Sequence, residues 1–443
     1  MKKLILTILL VFSLLTAQAA TPRVVFEPYD AVRQAALAQI KDALSIYRDM
    51  SLVQFQEYRN VILDSLKTSL DLFSCSEFEQ YPASAAVDIV KLITMPSELT
   101  TPHIFEWINA SYSVGIATYT DGPAHGKVEG AFNGSTLLPN GKVMLAPFSL
   151  NGNIGIYDPI ANTYTNGPAH GRGNYAFLGS TLMPNGKVML TPRNSANIGI
   201  YDPIANTYTN GPAHGKGLDA FSGSVLMPNG KVMLTPYASA NIGIYDPINN
   251  TYTNGPAHGK GAYPFRGSVL MPNGKVMLTP HNSPNIGIYD PSDNSYTNGP
   301  AHGKGSGAFA GSTLMPNGKV MLTPYKSANI GIYDPINNTY TNGPAHGRGT
   351  NAFWGSILLP NGKVLLTPYV SPNIGIYDPV ANTYADGPAH GKVEGAFRGG
   401  TLLPNGKVML TPHNSPNIGI YDPAIIDLEL RDWPLLSAYF NKF

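Results

Sequence analysis

The chain has 443 residues, with 29 Lys+Arg against 28 Asp+Glu and a formal net charge of +1; charged residues make up 13% of it, roughly half the usual share for a soluble domain. A balance this even excludes a protein that holds nucleic acid through a basic field, and 43% hydrophobic residues exclude wholesale disorder. The one cysteine, Cys75, excludes an intrachain disulfide and cysteine-ligated zinc or iron–sulfur centres.

In chain order, Lys2 and Lys3 precede an apolar run, Leu4 to Leu15, and then Ala17-Gln18-Ala19. That layout predicts a signal peptide over 1–20, with an uncleaved anchor as the alternative, and an exported protein: secreted, periplasmic or at the cell surface. No membrane span is expected after cleavage. Val32, Ala35, Ala36, Ile40, Ala43, Leu44 and Tyr47 share one helical face, and Leu52, Phe55, Ile62, Leu66, Leu70 and Phe73 share a second. A small helical region is therefore predicted within 21–113, its apolar stripes forming core.

The pattern then changes. Tyr-Asp-Pro recurs at Tyr157, Tyr201, Tyr245, Tyr289, Tyr333, Tyr377 and Tyr421, a strict 44-residue period; Gly-Pro-Ala-His-Gly and Pro-Asn-Gly-Lys-Val also occur seven times each. Within one unit, Gly179–Met183 reads as a strand and Pro184-Asn185-Gly186 as a hairpin turn. Lys187–Leu190 is a strand apolar on both faces, Asn197–Tyr201 a third, and Thr207–Thr209 a fourth, reached through the Asp202-Pro203 turn. Four antiparallel strands per unit of this period are a β-propeller blade. The last unit lacks a fourth strand, whereas Thr118-Tyr119-Thr120 stands unpartnered before the first. The predicted fold is thus an all-β, seven-bladed propeller over 114–423, closed by pairing of its two ends so that no edge is left open. A tail, 424–443, follows.

The run Leu-Pro-Asn-Gly-Lys-Val-Met-Leu followed by Tyr-Asp-Pro-x-x-Asn-Thr-Tyr resembles bacterial kelch repeats, the propeller family that includes galactose oxidase. The resemblance covers 118–423. Thr-Pro replaces that family's glycine pair after the second strand, and Tyr164, Tyr208 and their equivalents replace its fourth-strand tryptophan. Copper chemistry of the galactose oxidase kind would need a Cys–Tyr crosslink within the propeller; Cys75 lies outside the repeats, so that activity is not implied and no cofactor is expected.

Comparing the repeats with one another separates scaffold from candidate site. The Asn-Gly hairpins and Asp-Pro turns hardly vary. Variation falls after Gly-Pro-Ala-His-Gly, then at Asn133, Leu178, Ser222, Arg266, Ala310, Trp354 and Arg398, and between strands two and three at Phe148, Arg193, Tyr237, His281, Tyr325, Tyr369 and His413. Alternating strand direction puts these loops on one face. Its Arg193, Tyr237, Arg266, His281, Tyr325, Trp354, Tyr369, Arg398 and His413 are residue types enriched at binding hot spots; neutral drift of exposed loops is the competing explanation.

His125, His170, His214, His258, His302, His346 and His390 repeat with the blades. They are either a weak metal-ligand ring or, as this reading favours, imidazoles that bond neighbouring backbone and fix the Gly-Pro corner. The repeated Lys and Asp read as solvated turn charges. Together these features point to non-catalytic recognition of a protein or glycan through the variable face. Two alternatives stand: a carbohydrate-active or other enzyme with a single pocket at the channel mouth, and a structural or surface-assembly component. Ligand identity and oligomeric state do not follow from the sequence.

Overall fold

A computed structural model of the protein describes residues 116–423, apart from 128, 150 and 151. The signal peptide, helical region and tail expected at 1–20, 21–113 and 424–443 lie outside the described residues. None of the described residues forms a helix long and apolar enough to cross a membrane.

Seven four-stranded antiparallel sheets follow one another. Blade one comprises strands Phe132–Leu137, Val143–Pro147, Asn153–Asp158 and Thr163–Ala169, and blades two to six repeat this order. Blade seven takes three strands from the carboxy-terminal side, ending with Asn417–Asp422, and its fourth, Thr118–Ala124, from the amino-terminal side. The closing pair runs antiparallel in the register Thr118↔Asp422, Tyr119↔Tyr421 and Thr120↔Ile420. Its Lys392–Asp121 ion pair, at 2.6 Å, also ties blade six to the closing strand.

The strands differ in extent from the sequence reading. The second, expected as Lys187–Leu190, spans Val188–Pro192, and the fourth, expected as Thr207–Thr209, runs on to Ala213. The fourth strand tolerates Pro212 because it is the outer edge of its sheet, where no ladder donor is required. A register shift between Asn197 and Gly199 takes up the irregularity.

The core is seven interblade layers. In the second strand of blade one, Val143 and Leu145 pack with Leu403, Met409, Ile418 and Ile420 of blade seven, while Met144 turns to Phe177, Val188 and Leu190 of blade two. Both faces are buried, so the strand carries no polar alternation. Phe132 fits above Gly155, where a Cβ would stand 2.9 Å from its ring. Nearest the axis, the first strands meet glycine to glycine. A Cβ on Gly134, whose φ is +88°, would lie 2.9 Å from the Gly179 Cα, and the contacts continue through Gly223, Gly267, Gly311, Gly355 and Gly399 back to Gly134.

Hydroxyls bridge the blades beside this ring. In five of the six blades that carry Thr-Pro the threonine reaches the serine of the next blade's first strand: Thr191 to Ser224, Thr279 to Ser312 and Thr323 to Ser356 at 2.7 Å, Thr235 to Ser268 at 2.8 Å, and Thr411 to Ser135 across the closure at 2.7 Å. The threonine of Thr-Pro thus serves as an interblade contact.

Candidate functional site

The invariant face is a scaffold of local bonds. Asp158 Oδ1 accepts from the backbone N–H groups of Ile160 and Ala161, Tyr157 donates to the Asn162 side chain, and Asn162 adopts a left-handed φ of +52°. Each hairpin lysine pairs with the Asp-Pro aspartate of its own blade, from Lys142–Asp158 at 3.2 Å to Lys407–Asp422 at 2.9 Å. The charges expected to be merely solvated are therefore matched in seven ion pairs. The Asp158 and Asp202 carboxyls are held below their ordinary range chiefly by backbone N–H donors, with the paired lysines adding to the effect.

The corner histidines are likewise occupied. His214 Nε2 lies 2.7 Å from the Ser195 carbonyl while its Nδ1 accepts the Lys216 N–H, and His125, His258, His302, His346 and His390 repeat both bonds. His170 accepts from the Arg172 N–H in the same way. Each ring also packs edge-on to its blade's Phe, as His125 does to Phe132 at 5.6 Å. With one nitrogen donating to a carbonyl and the other accepting from an amide, the imidazoles of His125, His214, His258, His302, His346 and His390 present no lone pair to a cation. Among the described residues no cluster of His, Cys, Asp or Glu is arranged to hold a metal ion.

The variable face is built differently. The corner of each blade bonds to the second–third loop of the blade before it: Tyr175 N–H to the Phe148 carbonyl at 2.6 Å, and Ala220 N–H to the Arg193 carbonyl at 3.0 Å. The variable positions are thereby gathered into one collar around the axis. All nine residues singled out on this face belong to a single cluster of side chains. The guanidinium carbons of Arg266 and Arg398 lie 3.9 and 4.0 Å from the centroid of Trp354. Trp354 meets Tyr369 at 4.9 Å and Tyr325 at 5.4 Å; His281 meets Tyr325 at 6.0 Å, and Arg266 lies 5.8 Å from Tyr237. Arg193 and His413 join through Phe148, at 5.3 and 5.4 Å. A cavity of about 480 Å³ opens here, lined by Phe148, Tyr175, Arg193, Arg266, Arg398 and His413 among others.

Trp354 departs from its expected place on the surface. It is 8% exposed, a buried ring contacted by both guanidiniums. Three contributors were not singled out from the sequence. Phe148 belonged to a varying series but, as an apolar residue, carried no signal of its own. Tyr175 and Tyr263, both in left-handed conformations at the corners, stack on Phe148 at 4.9 Å and on Tyr237 at 4.4 Å.

Burial governs the electrostatics. It pulls the Arg266 guanidinium down to about 10, with Arg398 and Arg193 adding repulsion, and lowers Arg398 as well. His281 is brought to about 4 by burial and then by Arg266, and His413 to about 3 by burial and then by Arg398. Each of these histidines has Nδ1 at a neighbouring Phe carbonyl, Phe309 at 3.0 Å and Phe132 at 3.1 Å. Neutral imidazoles donating there keep Nε2 as the acceptor, and Arg266 Nη1 approaches the His281 Nε2 at 3.5 Å.

No family profile and no curated protein sequence matches the chain. Solved structures do. A catalytically inactive virginiamycin B lyase from Staphylococcus aureus with quinupristin is 17% identical, with a TM-score of 0.60, covering 69% of this chain and 99% of that one. A streptogramin B lyase is 16% identical, with a TM-score of 0.61, covering 69% and 97%. The extracellular domain of a protein described as a hybrid two-component system from B. thetaiotaomicron is 11% identical, with a TM-score of 0.56, covering 71% and 44%. At these identities the likeness is one of fold, that of a propeller, and the structures named here are lyases and an extracellular domain, not kelch proteins.

Proposed function

We propose that the protein is an exported recognition module that binds its ligand, a glycan or a protein segment, in the basin where the variable face meets the propeller axis. The observation that carries this reading is convergence. Seven equivalent positions on two series hold different residues, and the unlike ones meet in one cluster around one cavity. Drift in exposed loops gives no reason for Arg266 of blade four and Arg398 of blade seven to share one indole. The extracellular neighbour supports export, and the kelch resemblance is retained only for the blade architecture. A lyase reading ranks second, favoured by the names of two neighbours and by His413 on the basin wall. However, imidazoles at about 4 and 3 take up protons poorly at neutral pH.

The test is a glycan and protein-partner screen of the chain alongside a variant carrying Tyr175→Ala and Tyr263→Ala, two rim side chains 43% and 36% exposed. Ligands that bind the parent and lose the variant support the basin. Binding that survives these changes but is lost with Lys142→Ala and Lys187→Ala would move the site to the scaffold face. Turnover of a bound ligand, abolished by His413→Gln, would favour the lyase.

A further inference from the structure

Three side-chain N–H donors in the described propeller are buried without a partner, and all three occupy the same position of the first strand: Asn133 Nδ2 in blade one, Arg266 Nε in blade four and Arg398 Nε in blade seven. Buried donors are ordinarily satisfied, so a repeated shortfall at one position marks a place where an acceptor is missing. The bonds the two guanidiniums do make go to uncharged groups, Arg266 to His281 and Arg398 to the Tyr369 hydroxyl at 3.1 Å. Among the described residues neither has a carboxylate partner. Asp219 is engaged by Arg193, at 2.5 Å, and Glu129 stands exposed on the cavity rim without an ion pair among the described residues.

Like charges are thereby held together. Both guanidinium carbons lie within 4.0 Å of one ring centroid, so they stand no farther apart than twice that distance. The indole face supplies cation–π attraction to each, yet it cannot accept the in-plane hydrogen bonds that a guanidinium fork presents. The group that satisfies such forks is a planar or tetrahedral oxyanion.

We propose that the basin takes a small organic anion, with its carboxylate, sulfate ester or phosphate ester held by Arg266 and Arg398 where the two line the cavity. This rests on the reading of the basin as the binding site. A cavity of about 480 Å³ lies within the range of small-molecule pockets, about 300–1,000 Å³, and its volume suits a ligand of one or two sugar rings. Phe148 and Tyr175 offer the body of such a ligand apolar faces beside the charged end. Arg193, already matched by Asp219, contributes a weaker field.

The test titrates the full chain with D-glucuronate, D-glucose 6-sulfate, D-glucose 6-phosphate and neutral D-glucose, together with citrate and inorganic sulfate, by calorimetry and by tryptophan fluorescence. Trp354→Phe identifies the signal that arises from the basin. At least one acid is expected to bind about tenfold or more tightly than glucose, to weaken as salt is raised, and to lose about tenfold in Arg266→Gln and in Arg398→Gln. The preferred acid distinguishes a carboxylate from an ester. Melting temperatures guard against misfolding: without ligand, each Arg→Gln variant is expected to melt no lower than the parent, because it removes one of two like charges. Equal binding of glucose and the acids, or acid binding indifferent to both arginines, overturns the anion inference. So does silence towards every anion up to tens of millimolar. In those cases the Tyr175→Ala, Tyr263→Ala screen still decides whether the basin binds anything, so the two readings fail separately.

Discussion

At the residue scale, the central feature is the suppression of protonation at His281 and His413. A histidine whose folded pKa is lowered takes up its proton in the unfolded chain first. Stability is therefore full above about pH 6.5 and is lost progressively as pH falls towards 4 for His281 and 3 for His413. The corner histidines with resolved shifts are lowered in the same direction, also by burial first. The carboxylates of Asp158, Asp202, Asp246, Asp290, Asp334 and Asp378 are held below the ordinary Asp range and do not offset this. Unfolding free energy followed from pH 7 to pH 4 should fall by an amount on the order of a few kcal/mol. His281→Gln with His413→Gln should flatten that slope without abolishing it. A stability that rose on acidification would contradict the burial of these rings as neutral species. A second contrast comes from the interblade hydroxyls. Thr323 donates to Ser356, whereas Thr367 Oγ1 finds no partner because blade seven carries Gly400 where the other blades carry serine. Thr323→Val should cost about 1 kcal/mol, and Thr367→Val should be neutral or slightly stabilising. Urea unfolding of the two variants separates them.

At the scale of the strand and loop, glycine decides how closely elements approach. In Gly155→Ala the new Cβ would lie 2.9 Å from the Phe132 ring and 3.0 Å from Leu145, in a backbone that alanine could otherwise adopt. Overpacking of this kind should cost about 1–3 kcal/mol. Gly126→Ala meets no atom within 4 Å and is penalised only by its φ of +66°, so it should cost less. Thermal unfolding of the pair tests whether sterics or conformation dominates. The same two effects explain what was legible in the sequence. Asn-Gly and Asp-Pro turns announce themselves by residue type, and with the 44-residue period they specify strand number, blade number and closure. The extension of the fourth strand through Gly211 and Pro212 was hidden, because proline argues against a strand unless that strand is known to be an edge. The site was legible as a face and as a set of residues, but its convergence was not. The reach of Arg266 and Arg398 onto one indole depends on the radius of the central ring. That radius is set by glycine-to-glycine contacts between Gly134, Gly179 and their equivalents, which no local pattern marks. For the same reason Trp354 read as an exposed anchor although it is a buried ring.

For the whole propeller, the break in the chain falls inside blade seven: every fourth strand, Thr118–Ala124 included, continues through its corner into the next blade, but only in blades one to six does the Asp-Pro turn also join it to the third strand. Thr118–Ala124 is held to the rest of blade seven by its ladder, by Asn417 Nδ2 donating to the Gly122 carbonyl, by the packing of Tyr119 against His390 and Phe397 at 6.2 and 6.0 Å, and by the Lys392–Asp121 pair. That ion pair is partly exposed and worth about 0–1 kcal/mol, so aromatic packing and backbone bonds carry the closure. Opening should begin there, since a strand that peels away uncovers the edge of Asn417–Asp422 without breaking any other blade. Native-state hydrogen exchange should find Thr118–Ala124 less protected than its equivalent Thr163–Ala169. Tyr119→Ala should widen that gap and bring the exposed edge into self-association, whereas Tyr164→Ala, which removes the corresponding ring from the covalently continuous blade one, should lower stability without producing oligomers. Equal protection of the two strands, or monomeric behaviour of both variants under mild denaturant, would mean that the ring opens elsewhere.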